Sequence, residues 1–143
     1  MKLALDEAQK AFDCDEVPVG SIIVKDGEVI SSGFNQVISN HSVASHAEIN
    51  AIVLASNKLK NYRLVDCDIY VTLEPCHMCA KAIVDARLNH LFIGALEPKT
   101  GAVTSVDKFL DSNHLNHQVK YSFGYLEEDS ALLLKSFFKQ KRL

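Results

Sequence analysis

The sequence predicts an α/β fold in which a mixed five-stranded sheet carries helices on its faces. Short apolar runs typical of strands alternate along the chain with segments that have the apolar spacing of helices. Two strands are joined by a tight turn, which makes them antiparallel, whereas the later strands are separated by helical crossovers. At 143 residues, the chain has the length of a single domain, residues 1–143, with its own core.

The first half of the chain contains a helix, a hairpin and a second helix. Residues 1–14 have apolar side chains at helical spacing on one face. The stretch VPVGSIIVKDGEVISSG predicts two strands joined by a turn at Asp26-Gly27. The stretch SHAEINAIVLAS then has the spacing of a helix that begins near Ser45.

The second half alternates strands with helices. DIYVTL, residues 68–73, is rich in strand-forming residues, and Pro75 then begins a helix that runs to about Arg87. The remaining predicted elements are a strand at 90–95, a short helix at 105–111, a strand at 118–124 and a terminal helix in EEDSALLLKSFFKQKRL. This last helix has acidic residues at its start and basic residues at its end, as the helix dipole favours.

Composition and charge narrow the possible classes of protein. The net charge of −3 provides no bulk electrostatic argument for binding nucleic acid. No apolar run is long enough to span a bilayer, and acidic residues interrupt the apolar pattern of MKLALDEAQKAF, which therefore indicates an amphipathic helix and not a signal peptide. We expect a cytoplasmic protein. In that compartment its four cysteines stay reduced, so a close pair indicates metal binding or catalysis.

The segment Pro75-Cys-His-Met-Cys79 is a candidate half of a metal site. Cys76 and Cys79 are three residues apart at a helix start, which places both on one face and lowers the pKa of their thiols. Two soft sulfur ligands at this spacing favour zinc. His77 is rotated about 100° from Cys76 and about 200° from Cys79. We therefore interpret His77 as a surface or packing residue and not as a ligand.

The segment SHAEIN offers the other half. His46 lies at the mouth of a helix, and Glu48 follows two residues later. Taken alone, Ser45-x-x-Glu48 is more often a capping box than a catalytic motif, but its pairing with Pro-Cys-x-x-Cys favours the metal-site interpretation. His41 is the best spare fourth ligand. If His46, Cys76 and Cys79 are the only protein ligands, the fourth position holds water, and Glu48 can act as its base.

H-x-E followed by P-C-x-x-C is the motif of zinc-dependent nucleobase deaminases. The segments EVPVG, HAEI, NYRL, YVTLEPC, PKTGA and ALLLKSFF occur in order between about residues 16 and 142. With these segments the chain resembles the bacterial tRNA-specific adenosine deaminase family, within the cytidine and deoxycytidylate deaminase superfamily.

The resemblance implies a three-layer α/β/α cytidine-deaminase-like fold, a homodimer and one zinc ion per subunit. The implied reaction is hydrolysis of adenosine to inosine at the wobble position of a tRNA anticodon, in which zinc-bound hydroxide attacks C6. His46, Cys76 and Cys79 match the family's zinc ligands, and Glu48 matches its proton shuttle. Asn35 matches the residue that reads the purine edge, with a donor and an acceptor; without the resemblance we would interpret it as a turn residue.

Several positions depart from the family's pattern. His77 stands where a small apolar residue is usual, and Lys81 replaces a usual glycine. Glu97 stands where the family carries an aspartate that contacts the nucleotide near the target, so the resemblance implies a substrate contact there. The chain also begins several residues later than most relatives, which shortens the first helix.

The terminal helix has a basic stripe, which we define as Lys135, Lys139 and Arg142 at positions i, i+4 and i+7. The stripe can contact RNA phosphates, or it can be a solvated face that suits the helix C-terminus. Two other functions remain open. One is a deaminase of a free nucleobase or nucleoside, of guanine or cytosine type. The other is a non-enzymatic, zinc-stabilised binding module, which would need a fourth protein ligand.

Overall fold

The computed structural model describes residues 1–142 and shows one mixed sheet of five strands. The strands are β1 (Gly20–Lys25), β2 (Glu28–Phe34), β3 (Cys67–Leu73), β4 (His90–Ala95) and β5 (Lys120–Phe123). Their order across the sheet is β2-β1-β3-β4-β5. β1 is antiparallel to both β2 and β3, whereas β3, β4 and β5 are parallel to one another. Because β1 is antiparallel to both of its neighbours, β2 and β3 run in the same direction.

Four helices cover the two faces of the sheet. They are α1 (Lys2–Asp13), α2 (Ala47–Leu59), α3 (His77–Asp85) and α4 (Glu127–Lys141). α1 contacts α4 on one face, and α2 contacts α3 on the other. This arrangement confirms the predicted three-layer α/β/α fold with a mixed five-stranded sheet.

Two glycines show how closely these helices approach the strands. A Cβ atom at Gly20 would lie 2.0 Å from the carbonyl oxygen of Ala4 in α1, and one at Gly33 would lie 2.5 Å from the carbonyl oxygen of Ala47 in α2. Gly20 and Gly33 project to opposite faces, since Gly33 pairs with Ser21 and not with Gly20. Both helices therefore pack directly on strand backbone. No helix within residues 1–142 combines the length and the apolar character needed to cross a membrane.

The element boundaries differ from the sequence predictions in two places. α3 begins at His77, with Cys76 as its N-cap, and not at Pro75. The helix predicted at 105–111 is reduced to a single 3-10 turn at Phe109–Asp111, because the backbone N–H of Phe109 donates to the carbonyl of Ala102 and not to that of Ser105, as an α-helix would require. The hairpin turn is confirmed at Asp26 and Gly27, which both have positive φ angles, as a tight hairpin turn requires.

The topology brings one edge of the sheet together with two helix starts. β2, β3 and β4 all end at this edge, since they run in the same direction. Beneath it lies the apolar core between the sheet and α2 and α3, with Ile69, Val71, Leu91 and Ile93 fully buried. Segments that leave the three strands are therefore held on a rigid base.

The close approach at Gly20 makes a stability prediction. Gly20→Ala should lower the free energy of unfolding by about 1–3 kcal/mol, because the added methyl group separates α1 from β1. Urea unfolding of both proteins measures the difference. Ser32→Ala, at a half-buried position of β2, is the control and should change stability by less than about 0.5 kcal/mol. Equal effects of the two substitutions would contradict the packing at Gly20.

Candidate metal centre and active site

Two helix starts place three ligand-type side chains together. His46 is the N-cap residue of α2, Cys76 is the N-cap residue of α3, and Cys79 lies in the first turn of α3. The ligand atoms of the three residues all lie within 4.8 Å of one another. His46 Nδ1 is 3.7 Å from the sulfur of Cys76 and 3.4 Å from the sulfur of Cys79. We call these three residues the metal cluster.

The spacing of the metal cluster fits zinc. Tetrahedral coordination with ordinary Zn–S and Zn–N bond lengths places a nitrogen about 3.6 Å from each sulfur. The two observed distances, 3.4 and 3.7 Å, lie on either side of this value. Within residues 1–142 no fourth His, Cys, Asp or Glu belongs to the group, and His41 is an exposed loop residue outside it. Three protein ligands are typical of a catalytic zinc site, whereas a structural site has four.

The pKa values of the three side chains in the metal cluster are shifted in different directions. The hydrogen bond from the Cys79 thiol, together with that from His46, lowers the pKa of Cys76 to about 3. Donation of that hydrogen bond and burial raise the pKa of Cys79. The hydrogen bond with Cys76 raises the pKa of His46. The raised pKa of Cys79 reflects the proton that it donates to Cys76, a proton that a bound cation would replace.

Glu48 projects from the first turn of α2 beside the metal cluster. Its side chain is only 4% exposed, and burial raises the pKa of its carboxyl group to about 7. The alternative of a capping box does not form: the N-cap residue is His46, and the Ser45 hydroxyl accepts a hydrogen bond from Asn40. Glu48 is thus free of a capping role. A carboxyl group with a pKa near neutrality can both take up and return a proton.

A cavity of about 620 Å³ opens beside the metal cluster. This volume is in the range of small-molecule sites. Its lining includes His46, Cys76 and Glu48, and it also includes Asn35 and Glu97, which follow the ends of β2 and β4. The structure therefore brings every predicted metal, catalytic and substrate-binding residue except the deeper Cys79 to the wall of one cavity.

Asn35 is already engaged on one side. Its Oδ1 accepts a hydrogen bond of 2.8 Å from the backbone N–H of Ala47, the first residue of α2. No side-chain hydrogen bond within residues 1–142 involves its Nδ2. The sequence predicted a side chain that offers a donor and an acceptor to a purine. The structure leaves the Nδ2 donor for a ligand and uses the acceptor to cap a helix.

Glu97 is half-buried in the loop that follows β4. Its backbone N–H donates to Glu74, and its own carboxylate accepts a hydrogen bond from the backbone N–H of Lys99. The side chain is therefore folded over its own loop at the edge of the cavity. The Glu97 side chain lies at the cavity wall, as expected of a substrate contact, and one of its two carboxylate oxygens accepts the hydrogen bond from Lys99.

His77 points away from the metal cluster. Its Nε2 lies 2.9 Å from a carboxylate oxygen of Asp107, and both side chains are exposed. It is not part of the ligand group. This placement agrees with its interpretation as a surface residue.

The basic stripe does not line the cavity. Phe137 and Lys141 of α4 do. Lys135 and Lys139 are each two residues from Phe137, which rotates them about 200° away from it around the helix. Lys141 was missed by the sequence reasoning: its Nζ lies 2.9 Å from a carboxylate oxygen of Asp15, which also lines the cavity.

Two buried carboxylates at the cavity were also missed. Glu16 is 2% exposed and accepts hydrogen bonds from the backbone of Ile38 and Ser39 and from the Ser39 hydroxyl. Glu74 is 3% exposed and accepts hydrogen bonds from the loop after β4. Burial alone would raise the pKa of each group, but these hydrogen bonds lower it. The only signal in the sequence was an acid inside an apolar segment, in EVPVG and in VTLEPC.

A buried glutamate beside a His-Cys-Cys group, above the carboxyl ends of a mixed sheet, defines the class of hydrolytic nucleobase deaminases. Comparison with known proteins agrees, since the family model of MafB19-like deaminases matches residues 1–142. The chain is 47% identical to the tRNA-specific adenosine deaminase of Aquifex aeolicus, over 99% of this chain and 93% of that protein. It therefore belongs to the tRNA-specific adenosine deaminase family.

Solved structures agree with this assignment. A structure from a study of A-to-I editing by tRNA:A34 deaminases at the wobble position superposes with a TM-score of 0.91 at 44% identity, over 93% of this chain and 96% of that one. Guanine deaminase from Nitrosomonas europaea superposes with a TM-score of 0.83 at only 22% identity, over 95% of this chain and 81% of that one. The second likeness shows a shared fold alone.

The geometry of the metal cluster predicts which substitutions remove the metal. His46→Ala, Cys76→Ala or Cys79→Ala should reduce zinc from about one ion per chain to a small fraction, because two ligands do not hold a catalytic zinc. Metal analysis of the purified variants provides the measurement. His77→Ala is the matched control, at a histidine next to Cys76, and should keep its zinc. Loss of zinc in this control, or full retention in a cluster variant, would refute the ligand set.

Proposed function

We propose that this enzyme hydrolyses adenosine to inosine at the wobble position of a tRNA anticodon. The observation that carries the proposal is that the metal cluster, Glu48 and Asn35 meet at one cavity, in a chain of which nearly all aligns with tRNA-specific adenosine deaminases. The net reaction consumes one water and releases ammonia. The substrate is the exposed base of an anticodon stem-loop.

The proposed chemistry divides between a metal and a carboxyl group. When bound by His46, Cys76 and Cys79, zinc lowers the pKa of a water molecule and so supplies a nucleophile near neutral pH. Glu48 would accept a proton from the attacking water and donate it to the purine ring nitrogen next to C6. It then helps to pass a proton to the amino group that leaves as ammonia. Its burial beside the metal cluster supports this role.

Substrate contacts follow from the groups left free at the wall. We infer that the Nδ2 of Asn35 donates to an acceptor on the purine edge, such as N7, while its Oδ1 accepts from Ala47 N–H. Glu97 contributes a contact near the mouth of the cavity. Unstacking costs only a few kcal/mol, and less in an anticodon loop, where the base is already unpaired.

The wider surface supports contact with RNA through local charge. Lys139 and Arg142 of the basic stripe are exposed near the end of α4, the helix that reaches the cavity through Lys141. We assign phosphate contacts to the basic stripe, with Lys135 the member farthest from this end. We further propose a cytoplasmic homodimer with one zinc per subunit. All four cysteines are free thiols, as a reducing compartment requires.

The substrate assay separates this proposal from a free-base deaminase. Wild-type enzyme should form inosine in an anticodon stem-loop and should leave free adenosine, guanine and cytosine largely unchanged under the same conditions. Chromatography of the nucleosides after digestion gives the amounts. Deamination of a free base without inosine formation in the stem-loop would reject the tRNA function and favour the second class.

The role of Glu48 predicts a separation of metal binding from catalysis. Glu48→Gln should keep about one zinc per chain and lose at least about a hundredfold in the rate of inosine formation, because the amide cannot shuttle protons. Single-turnover rates and metal analysis together test this. Glu28→Gln, at an exposed position of β2, is the control for the same chemical change. Wild-type rates in Glu48→Gln would reject the proton-transfer role.

Asn35 offers a test that separates its two functions. Asn35→Asp keeps an oxygen that can accept from Ala47 N–H, so its stability should remain near that of wild type. It replaces the free NH₂ donor with a second acceptor, and kcat/KM should fall by about tenfold or more through loss of the hydrogen bond to the purine. Urea unfolding and steady-state kinetics measure the two effects. Unchanged kinetics would show that Nδ2 does not contact the base.

A further inference from the structure

We propose that Glu74 is a positioning residue that holds one wall of the cavity in the shape required by the target nucleotide. The wall is the segment from residue 97 to residue 105, which we call the wall loop. The inference deepens the proposed function, on which it rests, because it concerns the same cavity. It assigns a role to a group that contacts neither the metal cluster nor the reacting atoms.

The carboxylate of Glu74 is filled by donors from both ends of the wall loop. Oε1 accepts hydrogen bonds from the Glu97 N–H, at 3.0 Å, and from the Ser105 hydroxyl. Oε2 accepts from the backbone N–H groups of Val103, Thr104 and Ser105, at 2.8 to 3.0 Å. A carboxylate has about four acceptor sites, so these five donors leave no free acceptor for a substrate. Glu74 therefore acts through the loop and not on the nucleotide.

The wall loop lies directly on this carboxylate. A Cβ atom at Gly101 would approach the Glu74 carboxylate carbon and oxygens to between 2.3 and 2.5 Å. The next residue, Ala102, donates its N–H to the Pro75 carbonyl at 2.9 Å. The loop is thus attached to two consecutive residues, Glu74 and Pro75, that immediately precede the metal ligand Cys76. Its position relative to the metal cluster is set at this attachment.

The attachment matters for activity because of what the wall loop presents. Glu97 and Thr100 line the cavity; Glu97 is at one of the two ends that Glu74 holds, and Thr100 lies between these ends. The backbone of Glu97 is itself one of the donors. A loop released at one end would move both side chains relative to the metal cluster. Displacement of a positioning group by about 1 Å can cost about a hundredfold in rate.

Glu74→Gln is the direct test. The amide has one acceptor oxygen, which can keep the three N–H groups of 103–105. The Ser105 hydroxyl can then turn to accept from the new NH₂ group, whereas the Glu97 N–H loses its acceptor. We expect kcat/KM for inosine formation in the stem-loop to fall about ten- to a hundredfold, with zinc content unchanged. Hydrogen exchange at the Glu97 amide should accelerate, while amides of β3 and β4 should keep their protection.

Two further variants keep the test decisive. Gly101→Ala pushes the loop off an intact carboxylate and should reproduce the kinetic loss and the faster exchange. If Glu74→Gln does not fold, Gly101→Ala decides the outcome. Glu7→Gln is the matched control, a buried carboxylate in α1 that pairs with Lys10 and does not line the cavity. Its kcat and KM should equal those of wild type.

The outcomes separate the two proposals. Faster exchange in the wall loop with wild-type kcat/KM would overturn the positioning role, and so would a kinetic loss explained entirely by lost zinc. If wild-type enzyme deaminates a free base and not the stem-loop, the tRNA function fails while the test of Glu74 continues with that base. A loss of kcat/KM for that base at constant zinc would then still support the role of Glu74.

Discussion

The shared direction of β2, β3 and β4 is the constraint on which the rest of the site depends. Because these strands end at one edge of the sheet, the segments that follow them meet above a buried apolar layer. The first helix on this edge has His46 as its N-cap residue, and the second has Cys76. Each start directs a metal ligand inward, and the three ligand atoms come within 4.8 Å of one another.

Hydrogen bonds from polar side chains then fix the positions of the helix starts and loops that the sheet brings together. Asn35 caps the helix that carries His46 and Glu48, and Glu74 ties the wall loop to the segment that carries Cys76. Glu16 holds the opposite wall through Ile38 and Ser39. Each of these side chains lines the cavity and also bonds to backbone. The shape of the cavity and the position of the metal cluster are consequently parts of one hydrogen-bonded structure.

Local sequence patterns made much of the fold and of the metal cluster predictable. The metal cluster and Glu48 follow from short spacings at helix starts, and the antiparallel pairing of β1 and β2 follows from the turn at Asp26-Gly27. Glu16 and Glu74 were not predictable in this way, because they bond to backbone amides 22 to 31 residues away and amides leave no pattern in the sequence. The helix predicted at 105–111 is wrong because the N–H of Phe109 donates to the carbonyl of Ala102 and not to that of Ser105, a choice of partner that the sequence does not reveal. The engaged oxygen of Asn35 was likewise hidden, since it depends on where α2 begins.

The way in which Glu74 holds the wall loop has a consequence for how such an enzyme can change. Four of its five donors are main-chain N–H groups, which every residue except proline possesses. The side chains of the wall are therefore free to be exchanged, for example aspartate for Glu97, while the backbone path stays the same. The exceptions are the space at Gly101, the buried side chains of Ala102 and Val103, and the Ser105 hydroxyl, which is the fifth donor. The buried Glu74 carboxylate thus fixes the shape of the cavity independently of the side chains that select the substrate. Substrate preference can therefore diverge among relatives without any cost to the catalytic geometry beside it.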